Sequence, residues 1–174
     1  MNDYMVQAIG FIGLFFYIGS YQMRSNKQLY LFQLLGSTFF CIQLCFLGGF
    51  TGAMGLSVNI LRNLLLFHIN EWKWVERRST LSGILVLLLM LTFCTWAGPI
   101  SLLPLISVGV TTIGYWTNDA KKIRLSQLFG APCTMLYDLI LHSWGGAINA
   151  AITLVSILIS IRRFGWHNLE KMVE

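Results

Sequence analysis

Long apolar runs separated by short polar loops set the plan of the chain. A helix that crosses a bilayer needs about 20 mainly apolar residues, within a range of about 17 to 25. Seven stretches meet that length: residues 4–22, 30–47, 50–69, 80–97, 99–116, 124–142 and 145–163. Wholly apolar runs carry no period that separates helix from strand, so length decides, and it decides for helix. A lone strand would also leave its backbone groups unpaired in lipid. The links at Gly48-Gly49 and Gly98-Pro99 are so short that the helices they join must be antiparallel hairpins. The pattern predicts an all-α integral membrane protein with seven transmembrane helices in a single domain.

The pattern is also written twice. Ile18-Gly19 corresponds to Ile113-Gly114, and after one deleted loop residue Leu31, Gln33, Leu34 and Gly36 fall on Leu125, Gln127, Leu128 and Gly130 at an offset of 94. Leu47, Gly52 and Ala53 fall on Leu141, Gly146 and Ala147 at the same offset. Self-similarity at a fixed separation is the mark of a repeated structural unit. The helices therefore group as a first repeat at about 4–69, a linker helix at about 80–97, a second repeat at about 99–163 and a tail at 164–174. An odd helix between two triplets makes both triplets cross the bilayer in the same direction. Parallel repeats related by an axis along the membrane normal are a transporter plan, with the substrate site at the repeat interface near the midplane.

Composition agrees with a membrane setting. Apolar residues make up 56% of the chain and charged ones 11%, with a mean hydropathy of +0.67, whereas about a quarter of an ordinary soluble domain is charged. The net charge of +5 does not point to nucleic acid, because the basic residues sit in separate short loops and form no single exposed face. Lys and Arg collect on the cytoplasmic side of membrane proteins. Arg24 and Lys27 follow the first span; Lys73, Arg77 and Arg78 the third; Lys121, Lys122 and Arg124 flank the next such loop; Arg162, Arg163 and Lys171 follow the seventh. This alternation puts the N-terminus outside and the C-terminus in the cytoplasm. The first span has no basic leader or small-residue cleavage site and is expected to be retained. All six tryptophans fall at span ends, where an amphipathic ring anchors at the headgroups. Cys41, Cys45, Cys94 and Cys133 lie in apolar runs and read as packing residues, with no metal or other cofactor implied.

Residues 21–29, YQMRSNKQL, are similar to the loop that ends the first helix in PQ-loop proteins, with Tyr21 where that family has proline; the second copy, YWTNDAKKI, lacks both Pro and Gln. With its 3+1+3 layout the chain resembles the SWEET, PQ-loop and PnuC superfamily of small transporters. Over essentially its whole length it resembles the YgjV-type bacterial inner-membrane proteins. The resemblance implies a multi-pass protein of the bacterial inner membrane and a carrier architecture, and it implies no particular substrate.

Candidate chemistry sits on the third and seventh helices. Gly52, Gly55, Asn59 and Arg62 share one helix face, and at the 94-residue offset Gly146, Asn149, Thr153 and Ser156 share another. Such stripes face each other or a wet cavity, since polar groups facing lipid are costly. The glycines suit close helix packing, while Asn59 and Asn149 suit either glue or a neutral polar solute. Arg62 and Asp138 are ionisable groups inside predicted spans and hence candidates by default. Arg62 has three readings: snorkelling, pairing or substrate contact. Asp138 has two, a proton relay with His142 or a helix-end hydrogen bond. Gln43 and Tyr137 occupy equivalent positions that suit the cavity sides, and Pro104 and Pro132 are hinge candidates. The expected function is transport of a neutral polar solute such as a sugar, nucleoside or vitamin between two rocking triplets. The alternative is a non-transporting regulatory or receptor-like membrane protein. An enzyme is not expected, because no nucleophile elbow, metal-binding His pair or phosphate loop is present. A single chain as the full pore and assembly into dimers or trimers both stay open.

Overall fold

The computed structural model describes residues 3–20, 26–69, 71–75, 77–117 and 120–164. Each apolar run becomes a helix: α1 (Asp3–Ser20), α2 (Asn26–Phe46), α3 (Phe50–Phe67), α4 (Arg78–Cys94), α5 (Leu102–Trp116, entered through a 3-10 turn at Pro99–Ser101), α6 (Ala120–Ile140) and α7 (Trp144–Phe164). Among the described residues there are no strands. Asp3–Ser20, Phe50–Phe67 and Pro99–Trp116 are both long enough and apolar enough to cross a membrane, while Tyr30–Phe46, Arg78–Cys94 and Trp144–Ile159 are apolar but shorter. Ala120–Ile140 is interrupted by Lys121, Lys122, Arg124 and Asp138.

Helix ends follow from backbone chemistry. Gly48 takes φ 77°, the left-handed conformation that favours glycine. Gly49 N–H donates to Leu44 O at 2.8 Å and Gly48 N–H to Cys45 O at 3.3 Å, the paired bonds of a Schellman cap. The end of α6 repeats this motif: Ser143 N–H donates to Asp138 O at 2.8 Å and His142 N–H to Leu139 O at 3.2 Å, with His142 at φ 55°. Gly48 and His142 are 94 residues apart, as are both ends of α2 and α6 and the starts of α3 and α7.

Packing joins six helices in a closed ring, in the order α1, α2, α3, α5, α6, α7 and back to α1, with α4 outside against α3 and α5. The ring closes tightly where α7 meets α1, since a Cβ on Gly145 would lie 2.7 Å from the Gly10 carbonyl carbon and oxygen. Val58, Leu65, Val75, Ile84, Leu88 and Val108 fill the contact of α3, α4 and α5. Apolarity is otherwise inverted relative to a water-soluble protein. Phe15, Met90 and Phe93 stand 72%, 61% and 67% exposed, while Gln33, Gln43, Ser37, Asn63 and Thr112 are buried. An apolar exterior over an interior that also holds many polar groups is what lipid as a solvent allows.

Trp72, Trp74, Trp96, Trp116 and Trp144 lie at or just beyond helix ends, and Trp166 falls outside the described residues. The basic loop residue Arg24 and Lys171 also fall outside them.

Candidate functional site

The ring surrounds a partly open cavity of about 130 Å³, walled by residues of all six of its helices and none of α4. That is close to the roughly 150 Å³ of an engineered cavity that admits benzene. At one end, Tyr115 on α5 gathers two glutamines that lie 94 residues apart. Gln33 Nε2 donates to its hydroxyl at 3.1 Å and Gln127 Nε2 at 2.6 Å. The Arg62 guanidinium lies over the Tyr115 ring at 4.3 Å, and its Nε and Nη2 donate to Asn63 Oδ1 at 3.2 and 3.1 Å. Arg62 Nη1 is buried and has no partner. The snorkelling reading is thereby corrected. The ring of Tyr115 and the Asn63 amide hold the charged head inside the bundle, 4% exposed.

The middle of the cavity is lined by Asn59, Asn149, Ser107 and Thr134. Ser107 and Thr134 hydroxyls meet at 2.6 Å. Asn59 Oδ1 and Asn149 Oδ1 are buried without a hydrogen bond. Buried polar atoms are almost always paired, so each such orphan requires an explanation, and a bound polar molecule supplies one. Thr153, one turn beyond Asn149, bonds back to its carbonyl at 2.9 Å.

At the other end Gly52 and Gly146 make room for neighbouring side chains of α6. A Cβ on Gly52 would strike the Tyr137 ring, and one on Gly146 would strike the Asp138 carboxyl. Gly52 N–H donates to Tyr137 Oη at 2.9 Å. This is one of the first-turn N–H groups that a helix leaves unpaired, and α3 has no side-chain cap of its own. Asp138 lines the cavity, 5% exposed.

Beyond Asp138 a chain of amides closes this end. Ser143 Oγ donates to Gln43 Oε1 at 3.0 Å, Gln43 Nε2 to Gln7 Oε1 at 3.2 Å, and Gln7 Nε2 to His142 O at 2.8 Å. Gly10 lies against the Gln43 amide, which a side chain there would displace.

Six of the expected site residues therefore converge on one cavity: Asn59, Arg62, Tyr137, Asp138, Asn149 and Thr153. Two do not. Gln43 is buried in the closing network and is absent from the wall. Ser156 is exposed on the outside of α7. At about 100° per residue a stripe has turned back about 80° after ten positions. Arg62 reaches across that turn with a long arm, and the short Ser156 hydroxyl cannot. The Asp138–His142 relay is also corrected: α6 ends at Ile140, His142 goes left-handed, and its exposed ring lies 6.1 Å from that of Trp144. Pro104 lines the cavity within the first turn of α5, where proline is accommodated without a break. Pro132 sits in the interior of α6. Gln7, Tyr17, Ser107, Tyr115 and Thr134 were not singled out in sequence. Their partners lie outside their own helices, 12 to 135 residues away along the chain, and the Gln33/Gln127 pair was the signal that could have pointed to Tyr115.

Among the described residues no three His, Cys, Asp or Glu side chains gather as a metal site. A family model described as bacterial inner membrane protein, Imp-YgjV, matches residues 4–168. No curated protein and no solved structure matches the chain.

Proposed function

The chain belongs to the Imp-YgjV family of bacterial inner membrane proteins, and from that premise we propose that it is a carrier for a small polar solute. In this reading it crosses the membrane seven times as two parallel triplets, α1–α3 and α5–α7, with α4 as the linker. The solute sits between the triplets, and they rock around it. Three features support the repeat. Exchanging α1 with α5, α2 with α6 and α3 with α7 leaves the order of the ring unchanged, and turns the α3–α5 contact into the α7–α1 contact. The limits of α2 and α6 match at the 94-residue offset. The same cap recurs at Gly48 and His142. The placement of eleven of the twelve Lys and Arg residues supports an outside N-terminus and a cytoplasmic C-terminus.

The single observation that carries the proposal is the cavity whose wall holds three buried polar atoms without partners, Asn59 Oδ1, Arg62 Nη1 and Asn149 Oδ1. A fold that buries unpaired groups in this way bears a cost of about 1–3 kcal/mol for each, which a bound polar solute offsets. Purified protein in liposomes is expected to take up at least one of a panel of labelled polyols, pentoses, nucleosides and amino acids with saturable kinetics. Asn59→Ala with Asn149→Ala should slow that uptake at least tenfold. Uptake of no panel member would overturn the carrier reading. Activity that survives both substitutions but is lost on changing residues 71–78 would favour the regulatory alternative.

A further inference from the structure

Two ionisable groups inside the bundle face one cavity without meeting. Arg62 and Asp138 are 4% and 5% exposed and both line it. Among the described residues no carboxylate pairs with Arg62. Asp138 is likewise without a side-chain hydrogen bond there; its backbone carbonyl accepts from the Ser143 N–H. Ionisable groups within a bundle normally pair with one another or mark a substrate path. Here the fold prevents the pairing. Asn63 and the Tyr115 ring hold the Arg62 head at one end. At the other, Gly146 accommodates the Asp138 carboxyl. Ten residues separate Arg62 from Gly52, about 15 Å along the α3 axis, and Gly52 is bonded to Tyr137, the residue before Asp138. The two groups thus stand at opposite ends of the cavity, with the amides of Asn59 and Asn149 between them.

We propose that the solute is a zwitterion held lengthwise, its anionic end on Arg62 and its cationic end on Asp138, an inference that rests on the carrier reading above. Arg62 offers a free Nη1 on a guanidinium already oriented by its other nitrogens, and a planar guanidinium suits a carboxylate. Asp138 offers acceptor oxygens to an ammonium. An anion alone would leave Asp138 without a counter-charge, and a cation alone would do the same to Arg62. A neutral sugar would leave both. A zwitterion compensates the two and also crosses the membrane with no net charge moved against the potential. The distance between the sites selects charges near the two ends of an elongated molecule over charges on adjacent atoms.

Probes of similar length and different end charges test this directly. The full chain in liposomes is offered labelled ε-aminocaproate, adipate, cadaverine, glycine and xylitol. Uptake of ε-aminocaproate is expected to exceed that of adipate and cadaverine at least tenfold, and to exceed that of glycine. Arg62→Gln and Asp138→Asn should each abolish this preference while leaving the melting transition in place. If either variant fails to fold, heat protection of the unmodified protein decides, since a ligand that binds the folded state raises its melting temperature. Protection is expected from ε-aminocaproate and not from adipate or cadaverine. Xylitol uptake without ε-aminocaproate uptake or protection overturns the inference and leaves the carrier standing. Equal uptake of all three charged probes overturns it as well. Failure of every probe here and of the wider solute panel brings down the carrier reading and the inference together.

Discussion

His142 shows how much one residue can carry in this fold. It occupies the left-handed position that closes α6, as Gly48, 94 residues earlier, does for α2. A side chain with a Cβ in that conformation costs roughly 1–2 kcal/mol, which glycine avoids. His142→Gly is expected to raise the unfolding free energy by on the order of 1 kcal/mol, measured by thermal or denaturant melting in detergent. The Gln7 contact is to the His142 carbonyl, so the substitution keeps it. Transport should be unchanged, since the imidazole lies outside the cavity wall. A drop in transport without loss of stability would restore the imidazole to the mechanism. Arg62 illustrates the opposite case, in which identity was legible and placement was not. An arginine within an apolar run announces itself in sequence, but Asn63 and a tyrosine 53 positions away decide where its head lies.

Between elements, glycine is what allows the ring to close. Small residues let helices approach until backbone meets backbone, and Gly145 does so against Gly10, where α7 meets α1. A Cβ there would meet fixed main-chain atoms, and no flexible side chain is available to yield. Gly145→Ala is therefore expected to destabilise the protein by about 1–3 kcal/mol, the usual cost of overpacking. Gly83 on α4 is the contrasting case, because a Cβ there meets nothing within 4 Å. Gly83→Ala should be neutral or stabilising by up to about 1 kcal/mol through helix propensity. Parallel melting curves of the two variants check both outcomes. Equal effects would mean that the α1–α7 contact is not the tight seam of the ring. The lengths of the helices were visible in the apolar runs, and the offset between α2 and α6 was visible in the aligned Gln-Gly pairs. The seam was not, since Gly10 shares no pattern with Gly145.

At the scale of the whole molecule, α4 stands apart from the ring formed by the other six helices. It lies outside the ring and contributes nothing to the cavity wall, the place that the proposed plan of two like-facing triplets gives to a linker. The orientation that goes with this plan has its own check. With the C-terminus in the cytoplasm, a green fluorescent protein fused there should fluoresce, and alkaline phosphatase fused there should be inactive because it folds only outside. The reverse result would invert the topology drawn from the basic loops.

The sequence alone determined that the chain is helical, that it suits a membrane, how many helices it forms, and which polar residues are anomalous in an apolar setting. Those properties depend on local composition and spacing, which lipid reads one segment at a time. Tertiary structure decided which anomalies meet. Asn59 and Asn149 were brought to one cavity, Ser156 was turned outward, Gln43 was spent on closing one end, and Tyr115 became the shared acceptor of Gln33 and Gln127. These outcomes depend on helix rotation and on close approach between segments distant along the chain, and no period along the sequence encodes either.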